Sequence, residues 1–247
     1  LSPTQNQLYR QAEREGEARS RAIAKIRRID LKNNPFTSLD LPVNIKHQKE
    51  YDPYAPTTFD EYVGQENAKD LASVMMQAAR KENRPLPNIL ISGPLGLGKT
   101  TLAKLILDGE LHKFTDGAAA NSRTDFAGYF IIDEIHNLRP DVSDSLNTLL
   151  DDGSLVIIGC TTNPGMLPAP FRSRFRQLNL VPYTIENLTQ IQINVMERKE
   201  LSAQYSLLEE ISKRSRNTPR RALQYLAFTM DLMSVRDETT LTSETLV

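Results

Sequence analysis

The residues best suited to chemistry are Gly93, Pro94, Gly96, Leu97, Gly98, Lys99, Thr100 and Thr101, within the run Gly93-Pro94-Leu95-Gly96-Leu97-Gly98-Lys99-Thr100-Thr101. Small residues at the fixed positions of G-x-x-x-x-G-K-[ST] let successive backbone N–H groups turn inward onto an anion without Cβ clashes. Lys99 adds a point charge for the β- and γ-phosphates, and Thr100 offers a hydroxyl to Mg²⁺. The run follows the apolar stretch Ile89-Leu90-Ile91 and opens a helical one, Leu102 to Leu107. The helix N-terminus therefore faces the same phosphates with free N–H groups and the positive end of its dipole. The pattern predicts a cradle for ATP or GTP.

A second cluster closes the apolar run Phe130-Ile131-Ile132, where Asp133 and Glu134 are adjacent carboxylates 34 positions after Lys99. That spacing suits two strands lying side by side in one parallel sheet, with both chemical ends at one edge. Asp133 would then hold Mg²⁺ through its water shell, and Glu134 would polarise an attacking water as general base. His136, two residues on, either joins the site or caps the next helix, and capping is the simpler reading. A third buried strand, Leu155 to Cys160, ends in Thr161-Thr162-Asn163-Pro164, whose polar side chains would reach the γ-phosphate or the lytic water. Further on, Phe171-Arg172-Ser173-Arg174-Phe175-Arg176 carries arginines at alternate positions, in isolation a basic surface loop.

The elements that must position these groups read as an α/β sheet followed by helices. Thr58-Phe59-Asp60-Glu61 is a capping box that starts a short helix, and a second helix runs to about Lys81. After Pro182 the strands stop. Thr184 caps a helix to about Lys199, Ser206-Leu207-Leu208-Glu209 is a further capping box, and Thr218-Pro219 opens a helix to about Met233. Ser243-Glu244-Thr245-Leu246 looks like another helix start. The expected organisation is a charged helical arm and linker over 1–50, a nucleotide-binding α/β domain over 51–182 and an all-helical lid over 183–247. The arm carries ten Lys/Arg against six acids, concentrated in Lys25-Ile26-Arg27-Arg28, and reads as a solvated face or a contact for a partner.

Composition excludes little but is consistent with this picture. The 247 residues carry 30 basic and 31 acidic side chains, so any nucleic-acid contact must come from a local patch rather than a global field. No apolar run is long enough to span a bilayer. The single cysteine, Cys160, lies in an apolar strand and reads as a small buried hydrophobe, and the chain suits a reducing cytoplasm.

In order and spacing these landmarks resemble the AAA+ ATPases, over roughly residues 51 to 245, with Gly93–Thr100 as Walker A and Phe130–Glu134 as Walker B. Within them the sequence looks most like the RuvB branch-migration motors, through Tyr62-Val63-Gly64-Gln65-Glu66-Asn67, Ile132-Asp133-Glu134-Ile135-His136 and Arg214-Ser215-Arg216-Asn217-Thr218-Pro219-Arg220. Cys160-Thr161-Thr162-Asn163-Pro164 followed by Leu167-Pro168 reads more like a clamp loader. The resemblance implies that Val63 and Gly64 line the adenine pocket and that Thr162 is sensor 1, with Asn163 its nearest competitor. Arg174 would act in trans on a neighbouring subunit's nucleotide, with Arg172 as fallback, and Arg220, after Pro219, would reach the γ-phosphate in cis from the lid. It further implies ATP and Mg²⁺, a ring or helical homo-oligomer, and a role in DNA recombination, replication or repair. The alternative is an ATP-controlled recruitment module that works on a protein partner through its N-terminal arm, without translocating on DNA.

The sequence also departs from that family. Only Ile135 to Ser154 separate Walker B from sensor 1, where RuvB carries a β-hairpin that docks its partner RuvA, so that contact is expected to be lost. The chain stops where a winged DNA-binding domain would begin, and the arm has no counterpart.

Overall fold

The computed structural model describes residues 52–121 and 124–242, and the expected helical arm and the helix start at Ser243 lie outside them. Five parallel strands form the central sheet: β1 (Ile89–Ser92), β2 (His112–Asp116), β3 (Gly128–Asp133), β4 (Leu155–Thr161) and β5 (Arg176–Asn179), in the order β2-β3-β4-β1-β5. Strands β1 and β4 are buried throughout, as befits central strands covered on both faces. The strands before the glycine loop and before the carboxylates are therefore not neighbours, because β4 is inserted between them. Both pair with β4, Ile89 opposite Ile158 and Ile131 opposite the same residue, so their chemical ends still share one edge.

Helices cover both faces. One face packs α1 (Glu66–Glu82) and α2 (Lys99–Ile106) against Ile89, Ile91, Ile131, Ile158 and Cys160. The other packs α3 (Pro140–Asp151) and the short α4 (Ala169–Arg172) against Leu90, Phe130, Ile132 and Ile157. Alternation along each strand sends successive side chains to these two layers, which is why continuous apolar runs mark the interior of the sheet. No hairpin intervenes between β3 and β4, where a 3₁₀ turn (Ile135–Asn137), α3 and a turn complete the path.

Beyond β5 the chain folds into α5 (Ile185–Arg198), α6 (Tyr205–Arg214) and α7 (Pro219–Val235) around Val195, Met196, Leu208, Ile211, Leu226, Met230 and Met233. Two short parallel strands, β6 (Ser202–Ala203) between α5 and α6 and β7 (Thr240–Leu241) after α7, pair with each other, an addition to the expected all-helical lid. Thr184 caps α5 as expected, its Oγ1 accepting from Asn187 N at 3.2 Å.

Two local expectations fail for identifiable reasons. The hydrogen bond of the Thr58 box forms, with Glu61 N donating to Thr58 Oγ1 at 3.3 Å, but the chain there makes turns and no helix. Gly64, at φ 73°, and Gln65, at φ 58°, interrupt it after a single turn. Ser206 lies inside α6, whose N-cap is Gln204.

Candidate functional site: a phosphate loop under a helical lid

Every expected site residue except Arg172 and Arg174 gathers around the carboxyl edge of the sheet or the lid above it. Parallel pairing sets Ser92 beside Thr161 and Ile132 beside Gly159, so the segments leaving β1, β3 and β4 emerge together. The loop after β1 turns through Gly96 and Gly98, at φ 82° and 87°, values that strain any residue with a Cβ. Gly98 is the N-cap of α2, and Lys99 is its first residue, only 6% exposed. Lys99 Nζ donates to Gly93 O at 2.9 Å and Pro94 O at 3.0 Å, capping the concavity that its own loop encloses. Burial pulls its pKa below the ordinary lysine value, against the opposing pull of the Glu134 and Asp133 carboxylates. The chain therefore holds a partly desolvated cation inside a cradle of backbone groups, an arrangement suited to polyphosphate. Thr101 lies in the first turn of α2, half-buried.

Tyr62 braces this loop from beneath. Its buried hydroxyl lies 3.4 Å from Leu97 O and 3.3 Å from Gly98 O, and burial pushes its pKa up. Val63 is half-buried, and Gly64 lies so close to Asn187 and Tyr183 that a Cβ there would meet Asn187 Nδ2 at 2.9 Å. Gln65 spans the gap to the lid connection, donating to Val181 O at 2.7 Å and accepting from Val181 N at 3.0 Å.

The carboxylates divide their contacts. Thr100 Oγ1 donates to Asp133 Oδ2 at 3.0 Å, bringing together the two oxygens that would serve Mg²⁺. Glu134 adopts a left-handed backbone, φ 43° and ψ 49°, which folds its side chain toward the end of β4. There its Oε2 accepts from Thr162 N at 3.2 Å and Thr162 Oγ1 at 3.0 Å. Asn163, the competitor for that position, donates its backbone N–H to Thr161 Oγ1 at 3.0 Å. His136 does not cap α3, whose N-cap is Arg139. Its Nδ1 lies 3.2 Å from Glu134 Oε2 and 2.9 Å from Thr161 Oγ1, so it belongs to the site.

Arg220 reaches the loop from the lid. Its backbone N–H donates to Gly96 O at 3.3 Å, and a Cβ on Gly96 would lie 3.1 Å from Arg220 Cβ. Pro219 occupies the first position of α7, where its missing N–H leaves one fewer donor for the helix terminus to satisfy. Thr218 holds the N-cap position of α7, but its Oγ1 donates to Ser215 O at 3.1 Å rather than accepting from the helix, while Asn217 anchors the lid by donating Nδ2 to Tyr183 O at 2.7 Å.

Arg174 stands apart. Residue Arg176 pairs with Ile89 at the start of β1, so Arg174 lies at the sheet edge opposite the phosphate loop. The rise of a strand puts those edges on the order of 10 Å apart. Its guanidinium grips Asp151 through two bonds, Nε to Oδ1 at 2.8 Å and Nη2 to Oδ2 at 2.7 Å, and donates to Pro170 O at 2.6 Å. Arg172 turns inward to Pro164 O at 3.1 Å. The contributions of Asp151 and Gly117 went unforeseen in the sequence. Gly117 N donates to Asp133 O at 2.7 Å, and a Cβ there would overlap the Glu134 carbonyl.

A glycine-lysine loop at the carboxyl edge of a sheet ordered β2-β3-β4-β1-β5, with a helical lid contacting it, defines a P-loop nucleotide-binding domain of the AAA+ type. The family model described as the Holliday junction DNA helicase RuvB P-loop domain matches residues 54–158. The Holliday junction branch migration complex subunit RuvB of Fusobacterium nucleatum is 34% identical over 239 residues, 83% of this chain and 71% of the relative. The corresponding subunit of a Nitratiruptor species is 35% identical over 221 residues, 76% of this chain and 65% of the relative. The Thermotoga maritima RuvB Holliday junction branch migration motor matches in structure with a TM-score of 0.73 at 30% identity, covering 78% of this chain and 71% of that one. The chain belongs to the RuvB family. It spans 65% and 64% of the lengths of the relatives from Nitratiruptor and Campylobacter lari.

Proposed function

We propose that the chain is the ATP-hydrolysing part of an oligomeric motor that remodels DNA in recombination or repair. The observation that carries this reading is the convergence of Lys99, Glu134, Thr162 and the lid residue Arg220 around one phosphate loop. Backbone groups of Gly93–Gly98 and Lys99 bind the phosphates, Val63 and Gly64 flank the adenine, and Pro219 fixes the approach of Arg220. Thr100 and Asp133 would hold Mg²⁺, which would supply positive charge to the phosphate oxygens. Glu134 takes the proton of the attacking water, while Thr162 orients the carboxylate and senses the γ-phosphate.

Arg174 serves a neighbouring protomer. Pinned to Asp151 at the opposite edge of the sheet, it lies away from its own phosphate loop, which supports a role in trans. An arginine supplied in this way is worth about 10³–10⁵ in rate, so assembly itself becomes the switch for hydrolysis. The assembly is a ring or helical homo-oligomer, working in the cytoplasm on DNA. Among the described residues no helix is long and apolar enough to cross a membrane.

The test is ATP turnover of the purified chain with and without four-way junction DNA, over a series of salt concentrations. Junction-stimulated, Mg²⁺-dependent hydrolysis that weakens steeply with salt is expected, because phosphate contacts release counterions. Hydrolysis indifferent to any DNA but stimulated by a protein bound to the N-terminal arm would transfer the chain to the recruitment reading.

A further inference from the structure

We propose that His136 is a positioning residue that holds Glu134 as a one-sided base, an inference that rests on Glu134 being the base. The left-handed backbone at Glu134 starts the 3₁₀ turn Ile135–Asn137, and this tight reversal returns the His136 ring to the carboxylate two residues before it. The ring is largely enclosed, its side chain 12% exposed against 25% for Glu134.

The ring's tautomer follows from its neighbours. Nδ1 lies 3.2 Å from a carboxylate oxygen, and an unprotonated nitrogen there would set two lone pairs face to face. Nδ1 therefore carries the proton, hydrogen-bonds Thr161 Oγ1 at 2.9 Å and turns its positive N–H edge toward Glu134 Oε2. Oε2 accepts two hydrogen bonds from Thr162, its N–H and its hydroxyl, and has the His136 ring as a third polar neighbour at 3.2 Å. Oε1 has no hydrogen-bond partner among the described residues and remains the oxygen free to accept a proton from water. Thr162 follows β4 and His136 lies in the turn after β3, so the carboxylate is held between adjacent strands. His136 does not touch the nucleotide in this arrangement; it acts through the orientation of Glu134.

The experiment is steady-state ATP turnover by the full chain for His136→Ala, His136→Phe, His136→Asn, Glu134→Gln and the double variant Glu134→Gln/His136→Ala. Asparagine places an amide N–H near the Nδ1 position, whereas phenylalanine fills the volume without a donor. Because misplacing a catalytic group by about 1 Å costs about 100-fold, the alanine and phenylalanine variants should lose kcat by roughly that factor, with ATP KM within about twofold of wild type. Asparagine should restore most of the loss, and the double variant should turn over no more slowly than Glu134→Gln alone. Wild-type kcat for the phenylalanine variant would overturn the proposal, as would an undiminished effect of His136→Ala in the Glu134→Gln background. Wild-type turnover by Glu134→Gln would instead remove the base assignment itself, a distinguishable result.

Discussion

Lys99→Met separates what the lysine does for the nucleotide from what it does for the fold. Methionine keeps the length and apolar stem but removes the charge and two hydrogen bonds, to Gly93 O and Pro94 O. Those carbonyls lie on a half-buried and an exposed residue, so water replaces the lost donor. Against this stands the relief of a buried charge. Burial depresses the folded-state pKa of Lys99 below the unfolded value, so the unfolded chain binds the proton more tightly and stability rises with pH through the window below 10.5. At neutral pH the charged lysine is therefore a cost that methionine removes. The two effects oppose, leaving the nucleotide-free melting temperature within about 4 °C of wild type, the shift about 1 kcal/mol makes in a chain of this size.

Nucleotide binding carries no such compensation. A charge-assisted hydrogen bond to phosphate contributes about 1.5–3 kcal/mol, so affinity should fall by roughly 10- to 150-fold. Thermal melts with and without Mg²⁺–ATP, alongside titration of a fluorescent ATP analogue, read both quantities. Wild-type affinity in the variant would refute the placement of the phosphates, and a melting temperature far below wild type without nucleotide would make Lys99 a structural residue.

Two further outcomes follow from local packing. Gly117→Ala sets a methyl group against the Glu134 carbonyl, which is backbone and cannot turn aside, so urea unfolding should report a loss of about 1–3 kcal/mol together with slower ATP turnover. An unchanged midpoint would contradict that close approach. Cys160 is fully buried in β4 and burial pushes its thiol pKa up, so a thiol-alkylating reagent should label it in denaturant and leave it unlabelled in the native chain, as mass spectrometry would show.

The phosphate loop was legible in the sequence because its function is a backbone shape, and backbone shapes that exclude Cβ atoms are written as glycines at fixed spacing. Asp133 and Glu134 were legible for a related reason, since a buried apolar strand that ends in two carboxylates must expose them at its edge. Strand order was not. The insertion of β4 between β1 and β3 depends on which crossovers leave each strand, and neither apolar run records its neighbour. The capping reading of His136 failed because the position of its ring depends on the left-handed turn at Glu134, a conformation that residue type does not announce. The bidentate Asp151–Arg174 pair was hidden for a different reason: its partners lie 23 positions apart on separate elements, and nothing in either local pattern links them. Capping signals fared according to what followed them. Thr184 precedes 14 residues of helix, whereas Thr58 meets Gly64 before a second turn can form.

The central claim is that the site of one protomer is completed by Arg174 of another, and mixing two inactive variants tests it most directly. Lys99→Ala, assayed at ATP well below its weakened Kd, leaves the loop largely empty but keeps the arginine, and Arg174→Ala keeps the phosphate loop but lacks the arginine. Each alone should be inactive. Combined under conditions where mixed oligomers form, they should regain ATP turnover through the interfaces that pair an intact loop with an intact Arg174. Mixed oligomers that form and still do not hydrolyse ATP would contradict the claim.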